Sequence, residues 1–301
     1  MKILLLGKDG QVGWELQRAL LVVGKVVALS RQPVSTPYGK LIGDLSDLDG
    51  LRETIRVVAP DLIVNAAAYT AVDKAESERE QARTVNALAS QVMAEEAKRL
   101  DALLVHYSTD YVFSGSGSNA WREIDSVSPV NYYGETKLEG EQLIVASGCK
   151  HLIFRTSWVY AARGNNFAKT MLRLAKERET LSVIADQVGV PTSAELLADI
   201  AVHALQKTLA DSRLCGIYHL VPAGETSWYE YATYVIDFAR RSGESLHVKA
   251  VNPIMTTEYP TPTSRPLNSR LNTEKLSDAF SLQLPEWKVG VTRMLMEILN
   301  K

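Results

Sequence analysis

The 301-residue sequence predicts an α/β protein built on a doubly wound parallel sheet, followed by a smaller and less regular C-terminal part. Short apolar runs such as Lys2–Leu6 and Leu62–Asn65 alternate with longer segments of helical periodicity. Apolar runs without polar alternation are typical of strands that helices cover on both faces. Because strand–helix–strand units cross over in one hand, this alternation indicates a parallel sheet.

The elements of the first half follow one another in a regular order. We predict strands at residues 2–6, 25–29, 62–65, 103–107 and 152–155, and helices at residues 12–23, 87–98 and 135–146. The helical assignments rest on apolar residues that recur every three to four positions, as Leu16, Ala19, Leu20 and Val23 do.

The second half is less regular. Helices are predicted at residues 166–177, 194–209, 228–242, 271–280 and 287–299, and a strand at 216–220 is expected to return to the main sheet. Residues 252–266 carry four prolines and no periodicity, so we predict a long functional or mobile loop. The expected domains are residues 1–157 with a returning segment near 188–220, and a discontinuous C-terminal substrate lobe at 158–187 and 221–301.

Composition excludes several classes of function. Apolar residues make up 46% of the chain and charged residues 23%, the formal net charge is −2, and no long basic run occurs. Nucleic acid and an anionic membrane are therefore not the expected partners. The two cysteines, Cys149 and Cys215, lack metal-binding spacing and are expected to be reduced thiols. With no leader-like segment and no apolar run of about 20 residues, a cytoplasmic location is expected.

Three glycines, Gly7, Gly10 and Gly13, lie between the first strand and the first helix. Glycine permits a tight turn and close approach of a pyrophosphate, and the following helix offers free N–H groups. The sequence therefore predicts a Rossmann-type dinucleotide site, with Gln11 and Val12 in the same turn. The spacing is wider than in many dehydrogenases, and an ordinary glycine-rich loop is the alternative.

The end of the second strand bears on the choice of cofactor. Ser30 and Arg31 stand where an acid would bind the ribose of NAD, and a guanidinium suits a 2′-phosphate. NADPH is therefore favoured over NADH, which stays possible, and an exposed loop arginine is the alternative. Asp44, followed by Leu45, is a candidate contact to the adenine. After the third strand, the small residues Ala67 and Ala68 would let the cofactor lie close.

Tyr133 and Lys137 are the candidate catalytic pair. Positions i and i+4 share one face of a helix, and an ammonium beside a phenol is expected to lower the tyrosine pKa. Such a tyrosine can exchange a proton with a substrate oxygen. Thr109 and Asp110 follow a strand, where they are placed to hold a carbonyl oxygen and a substrate hydroxyl. The alternatives are a surface tyrosine packed on a lysine stem and an ordinary turn cap.

Other chemistries are not supported. The five histidines show no metal-binding spacing, and His106, in a predicted buried strand, is expected to be a hydrogen-bonded core residue. The sequence contains neither a G-x-S-x-G nucleophile elbow nor a G-x-x-x-x-G-K-[ST] phosphate loop.

Six motifs together resemble the extended short-chain dehydrogenase/reductase superfamily over nearly the full length. They are GKDGQVGWE at 7–15, NAAAYTAVDK at 65–74, YSTDYVF at 107–113, YGETK at 133–137, RTSWVY at 155–160 and NSRLN at 268–272. Within the superfamily they are similar to reductases of dTDP-linked 4-keto-6-deoxy sugars. The resemblance implies that NADPH delivers hydride to C4 while Tyr133 donates a proton to the C4 oxygen, which gives dTDP-L-rhamnose.

The same resemblance implies roles for further residues. Lys137 would tune Tyr133 and hold the nicotinamide ribose, while Thr109 would stand where the superfamily usually has a serine. The residues implied around the ligands are Thr70, Asp110 and Trp158 for the sugar, Tyr69 and Tyr107 for the cofactor, and Arg265 and Arg270 for the pyrophosphate-linked thymidine. The alternative for the two arginines is a solvated surface charge.

The resemblance also implies a homodimer in which Glu15, Glu195 and Glu297 hold Mg²⁺ between subunits, since carboxylates are suitable ligands for this ion. On the sequence alone, solvated helix glutamates are the alternative. Many relatives carry an acid at the Ser30 position, so the cofactor preference here can differ from theirs.

Two other functions stay open at this point. One is a non-catalytic NADP-binding regulatory subunit, although such relatives typically lose the tyrosine–lysine pair. The other is a sugar-nucleotide epimerase or dehydratase, for which Asp110 beside Thr109 is compatible.

Overall fold

A computed structural model describes residues 1–300, which contain fourteen strands. The strands are β1 Lys2–Leu6, β2 Lys25–Leu29, β3 Val34–Thr36, β4 Gly39–Leu41, β5 Leu62–Asn65, β6 Leu103–Thr109, β7 Lys150–Thr156, β8 Val159–Tyr160, β9 Thr180–Ile184, β10 Val188–Gly189, β11 Thr192–Ser193, β12 Gly216–His219, β13 Thr226–Ser227 and β14 Ala250–Ile254.

Eleven α-helices connect or cover these strands. They are α1 Gln11–Leu20, α2 Leu48–Val58, α3 Val72–Ala75, α4 Arg79–Arg83, α5 Ala89–Leu100, α6 Tyr132–Ser147, α7 Phe167–Glu177, α8 Ala194–Ala210, α9 Trp228–Arg241, α10 Glu274–Phe280 and α11 Trp287–Ile298. A π-helix at Thr84–Leu88 leads into α5, and short 3₁₀ turns occupy Asp110–Val112, Ser212–Leu214 and Thr256–Glu258. In residues 1–300 no helix is long and apolar enough to cross a membrane.

Six strands form one parallel sheet in the order β12-β7-β6-β5-β1-β2. The chain runs outward from β1 to β2 and then returns to the other side of β1 through β5, β6, β7 and β12. This confirms the predicted doubly wound α/β fold and the return of the strand near residue 216. The winding changes direction between β1 and β5, the place where open α/β sheets bind their ligands.

The two faces of the sheet bury different side chains, as the two-residue period of a strand requires. On β1, Ile3 and Leu5 belong to the core under α1 and α8, whereas Leu4 and Leu6 belong to the core under α2 and α5. Two further hydrophobic clusters lie among α7, α9 and α11 and around β9 and β14.

Several predicted boundaries need correction. Strand β6 continues to Thr109, so this residue ends the strand instead of following it. Helix α6 begins at Tyr132, which places Tyr133 in the first turn. The proline-rich segment is irregular only in part, because β14 pairs in parallel with β9 through Asn252 and Pro253. Pro253 is tolerated in this two-stranded sheet because an edge strand leaves one row of N–H groups unpaired.

Candidate active site

The glycine turn between β1 and α1 leaves no room for side chains. Gly7 has a φ of +84°, and a Cβ there would lie 2.6 Å from Ala67 N. A Cβ on Gly13 would overlap the carbonyl oxygen of Gly7. Gly10 begins α1 without a side-chain cap, so first-turn N–H groups point out of the helix end. A narrow cradle lined by backbone N–H groups at a helix N-terminus fits a pyrophosphate.

The predicted adenosine contacts lie at the end of β2. Ser30 is buried, whereas Arg31 is exposed and has no ion pair within residues 1–300. Asp44 is partly buried, and its Oδ1 accepts bonds from both the N–H and the hydroxyl of Ser46. This arrangement leaves Arg31 available to a phosphate, while Asp44 is already engaged in a local turn.

Side chains from β6 and α6 converge at the carboxyl end of the sheet. Thr109 is buried and donates to Asp110 Oδ1 at 3.1 Å, and its Oγ1 accepts from the Tyr111 N–H at 3.2 Å. Tyr133 packs edge-on against Tyr111, with ring centroids 5.6 Å apart. The Thr109 hydroxyl lies close enough to the Tyr133 phenol to oppose the rise of its pKa. The structure thus brings together Tyr133, Thr109 and Asp110 as predicted.

The pKa of Tyr133 moves opposite to the predicted direction. Burial raises the pKa of the phenol above its ordinary value, and the nearby carboxyl of Asp110 raises it further. Lys137 does not outweigh these effects, because its Nζ donates to the carbonyl oxygen of Tyr107 at 2.6 Å and not to the phenol. The expected lowering of the tyrosine pKa is therefore wrong for this arrangement. A raised pKa keeps the phenol protonated at neutral pH, which is the form that a proton donor needs.

Lys137 is almost fully buried in the middle of α6. Besides Tyr107 O, its Nζ lies 3.1 Å from Nε2 of His106. Burial lowers the pKa of Lys137 to about 8, and the Glu141 carboxylate one turn further along α6 opposes that shift. Glu141 is itself held by Arg155 of β7 at 2.7 Å.

Asp110, beside Thr109 and Tyr133, has one carboxylate oxygen without a hydrogen-bond partner within residues 1–300. Its Oδ2 is buried without a hydrogen-bond partner in the described chain, as are the hydroxyls of Ser108 and Thr263. Burial raises the pKa of Asp110 to about 6, while the hydroxyls of Ser269 and Thr109 oppose the rise. Buried polar atoms in native proteins are rarely left unpaired, so this group fits a polar ligand.

Trp158 forms an aromatic wall of the site, and its own backbone is strained. Its φ is +47°, a left-handed conformation that a bulky residue adopts only when the surroundings impose it. The indole stacks on Trp228 with ring centroids 3.6 Å apart. Gly189 makes room for Trp158 and Ser269, since a Cβ there would lie 2.9 Å from an atom of each side chain. Ser269 in turn lies beside Asp110, so Trp158 and Asp110 border the same region.

The proline-rich segment is tied to the catalytic helix. Asn131 caps α6 by accepting from the Gly134 N–H at 2.9 Å, and its Nδ2 donates to Ser264 O at 2.9 Å. Arg265, predicted to bind phosphate, donates to both carboxylate oxygens of Asp73. Arg270 is likewise paired with Glu225 at 2.6 Å. Neither arginine is free, so binding a phosphate would require exchange of its carboxylate partner.

The remaining predicted contacts are less well defined. Thr70 is exposed, and the Tyr69 hydroxyl donates to Glu78 at 2.7 Å. Ala67 borders the glycine turn, as predicted for a residue near the cofactor. The Tyr107 hydroxyl donates to Leu197 O at 3.3 Å, and burial raises its pKa. These positions do not add a second reacting group.

The three carboxylates expected to bind Mg²⁺ do not form a metal site within one chain. The pKa of Glu15 is raised by burial and by Glu195, with a smaller contribution from Glu297. Arg293 pairs with Glu195 at 3.0 Å, and Arg18 lies 3.6 Å from Glu15. No group of three or more metal-ligating side chains occurs within residues 1–300. Arg18 and Arg293 thus compensate two of these charges within one chain, and an ion held between subunits stays a prediction.

Two features of the site were not predicted from the sequence. Trp228 stacks under Trp158, but its position at the start of a helix gave no signal for an aromatic partner 70 residues earlier. The contact of His106 with Lys137 was also missed, although His106 was rightly expected to be buried and bonded. No sequence signal marked this contact, because β6 is buried along nearly its whole length and shows no alternation.

The chain is similar to known proteins over its whole length. The family model described as the RmlD substrate binding domain matches residues 1–300. The chain is 56% identical to dTDP-4-dehydrorhamnose reductase of Escherichia coli strain K12, over 99% of this chain and 98% of that protein. It is 35% identical to the spore coat polysaccharide biosynthesis protein SpsK of Bacillus subtilis, over 98% of this chain and 97% of that protein.

Solved structures agree with these matches. The dTDP-4-dehydrorhamnose reductase of Bacillus anthracis in complex with NADP is similar with a TM-score of 0.87 and 34% identity, covering 98% of this chain and 99% of that one. The orthologue from Clostridium acetobutylicum also gives a TM-score of 0.87 and 34% identity, with both chains fully covered.

Proposed function

The chain belongs to the RmlD substrate binding domain family, and on that premise we propose that it reduces dTDP-4-dehydro-β-L-rhamnose to dTDP-L-rhamnose with NADPH. It is a nicotinamide-dependent oxidoreductase. One observation carries the proposal: the half-buried Tyr133, whose phenol has a raised pKa, lies beside Thr109 at the end of β6, at the sheet edge that also holds the glycine turn.

Tyr133 is the proposed proton donor. Because its pKa is raised, the phenol is protonated across the neutral range and can donate to the C4 oxygen. The Thr109 hydroxyl, which already bonds within this group, would orient the same oxygen. NADPH, when bound, supplies the hydride to C4.

The surrounding residues would hold the sugar. Asp110 Oδ2, buried and unpaired, is placed to accept a hydrogen bond from a sugar hydroxyl. Trp158, fixed by its stack on Trp228, offers an apolar face for the ring. In this proposal residues 1–157, with the returning segment near 188–220, bind the cofactor, and residues 158–187 and 221–301 bind the substrate.

The proton donor can be tested by removing one hydroxyl. Tyr133→Phe keeps the ring packing against Tyr111 but has no proton to give, so kcat should fall by about 10²–10⁴-fold. The measurement is NADPH oxidation with dTDP-4-keto-L-rhamnose. Tyr132→Phe is the matched control. The Tyr132 ring lies under the Arg79 guanidinium, so this variant should retain full activity. A parent enzyme without keto-sugar-dependent oxidation would contradict the function, and a fully active Tyr133→Phe variant would contradict the donor.

The preference for NADPH rests on Arg31, which is exposed at the end of β2. A charge-assisted bond to the 2′-phosphate contributes about 1.5–3 kcal/mol. Arg31→Ala should therefore lower the ratio of kcat/KM for NADPH to that for NADH by about tenfold or more. Gln32→Ala, at the adjacent exposed position, is the control. An unchanged ratio in Arg31→Ala would remove the basis for this preference.

We also propose a homodimer. Trp14 is 46% exposed and Met296 45% exposed, and these large apolar side chains adjoin Glu15 and Glu297 in the sequence. Such residues are commonly covered in oligomers. Light scattering on an eluting size-exclusion peak should give twice the chain mass, and a monomer mass would refute the proposal.

A further inference from the structure

A buried chain of side chains ends at the lysine of the catalytic helix. Asn65 at the end of β5, His106 in β6 and Lys137 in α6 are each at most 2% exposed. Asn65 Nδ2 lies 3.1 Å from His106 Nδ1, and His106 Nε2 lies 3.1 Å from Lys137 Nζ. The proposed mechanism uses only the last of these three residues.

The orientation of the Asn65 amide is fixed by the backbone. Its Oδ1 accepts from the Ala67 N–H at 3.1 Å, and Ala67 borders the glycine turn. A flipped amide would point its NH₂ group at that N–H. Nδ2 therefore faces His106 and donates to Nδ1, which must be unprotonated.

The tautomer of His106 follows from this bond. Burial lowers the pKa of His106 well below its ordinary value, and any charge on Lys137 lowers it further, so the ring is neutral whether or not the amine is protonated. A neutral imidazole carries one proton, and with Nδ1 as acceptor that proton is on Nε2. The Nε2–H then points at Lys137 Nζ.

The lysine amine must accommodate this donor. A neutral amine can accept from Nε2–H while it donates to Tyr107 O at 2.6 Å. A charged ammonium has no lone pair, so it would set two N–H donors against each other or force the ring to the other tautomer, against Asn65. The three side chains thus favour the neutral amine over the ammonium, which agrees with the lowered pKa of Lys137.

We propose that Asn65 and His106 are positioning residues for the reaction, which fix the place of the Lys137 amino group and the number of protons that it carries. The inference rests on the proposed function, because only there does Lys137 support Tyr133. The other charges that face Lys137 do not supply an alternative: Glu141 lies one turn away and is held by Arg155.

The proposal makes a prediction about pH. A charged Lys137 favours the phenolate that remains after Tyr133 donates its proton, so kcat/KM should fall as Lys137 loses its proton. In a plot of kcat/KM against pH, the alkaline limb should therefore fall near the lowered pKa of Lys137, about 8. This is well below the pKa of an ordinary lysine.

Asn65→Asp reverses the donor and acceptor roles along this chain of hydrogen bonds, with almost no change in the shape of the side chain. A carboxylate can accept from both the Ala67 N–H and the ring, so the His106 proton should move to Nδ1 and leave Nε2 as an acceptor for the ammonium. The alkaline limb of kcat/KM should then move upward by about 1 pH unit or more. His151→Gln, which replaces a half-buried histidine on β7, is the control and should leave the limb unchanged.

The tautomer can be read without any turnover. In ¹⁵N-labelled protein, two-bond ¹H–¹⁵N correlations distinguish Nε2–H from Nδ1–H, and the His106→Gln spectrum identifies the signal. We expect Nε2–H in the parent above about pH 8, where Lys137 is neutral, and Nδ1–H in Asn65→Asp. A parent ring protonated on Nδ1 or on both nitrogens, or an alkaline limb that does not move, would overturn the proposal. An inactive parent with the expected tautomers would instead refute the proposed function.

Discussion

Asp110 is a buried carboxylic acid close to the proposed proton donor, and we expect its burial to affect stability. The folded chain raises its pKa from 3.8 to about 6. Above pH 6 the charged form is therefore disfavoured in the folded state, which reduces the free energy of unfolding by about 3 kcal/mol at most. The penalty disappears as pH falls below about 4, because the carboxyl is then protonated in both states.

Asp110→Asn should remove this pH dependence. We expect the variant to be more stable than the parent at pH 8, with the difference shrinking towards pH 5, while its keto-sugar reduction is impaired. Thermal unfolding across this pH range would measure the effect. Asp278→Asn, at an exposed position on α10, should show no such trend. Equal stability of parent and Asp110→Asn at every pH would contradict the assignment.

The sequence predicted which residues of the site lie together, but not the direction in which their pKa values shift. Spacing was enough to place Tyr133 and Lys137 on one helix, and strand ends were enough to place Thr109 and Asp110 near them. The direction of the Tyr133 pKa depended on burial and on which atom Lys137 Nζ contacts, Tyr107 O in this case. Neither depends on spacing along the chain.

Among the elements, α2 and α5 are clamped by one buried carboxylate. Glu96 of α5 accepts from Arg52 and Arg56 of α2 and from Arg99 one turn further along its own helix. Burial alone would raise the pKa of Glu96, but the bonds from Arg56, Arg99 and Arg52 outweigh it and lower the pKa to about 2. The pair of helices thus depends on a charge that burial disfavours.

Glu96→Gln should weaken this clamp. The arginines are about one-third to one-half exposed, so we expect a loss of about 1–2 kcal/mol at pH 7 and not the larger value of a fully buried pair. Stability from Glu96 is fully present above pH 4.5 and is lost as pH falls towards 2, so the difference between parent and variant should shrink there. Urea unfolding measures both quantities. Glu95→Gln, which leaves the buried carboxylate in place, should have a smaller effect, and an equal loss would contradict the clamp.

Elements whose pattern is local were predicted well, and elements that depend on a partner were not. The main strands needed only apolar runs. Strand β14 was missed because its five residues, AVNPI, contain an asparagine and a proline, and it exists through its pairing with β9. The π-helix at Thr84–Leu88 also has no periodic signature of its own; there Asn86 bonds Tyr69 and Thr136.

For the whole molecule, the change of winding direction between β1 and β5 couples cofactor binding to the stability of the sheet. The glycine turn is bonded to β2 through Gly7 N and Leu29 O and touches the chain that follows β5. The cradle exists only in the folded chain, so a ligand that fills it binds the folded state and not the unfolded state. At 100 times its dissociation constant it adds about 2.7 kcal/mol to the free energy of unfolding.

NADPH should therefore raise the thermal midpoint of the parent by a few degrees. Gly13→Ala should abolish this rise, because the added methyl group overlaps Gly7 O. Gly10→Ala is the comparison within the same turn, since its Cβ would lie 3.4 Å from that oxygen. We expect its midpoint without cofactor to stay closer to the parent value than that of Gly13→Ala. A full NADPH response in Gly13→Ala would show that the cofactor binds elsewhere.

The double role of Asn131 limits how new specificities can arise in this scaffold. A loop exchange that imports a different substrate pocket at residues 255–266 would remove the acceptor at Ser264 and leave the Asn131 amide unpaired at the start of α6. An orphaned buried donor costs about 1–3 kcal/mol, and it would be placed beside the residue that donates the proton. A loop in this region therefore cannot be exchanged independently of α6. A grafted loop has to place a carbonyl oxygen where Ser264 O accepts from Asn131, or Asn131 has to change at the same time.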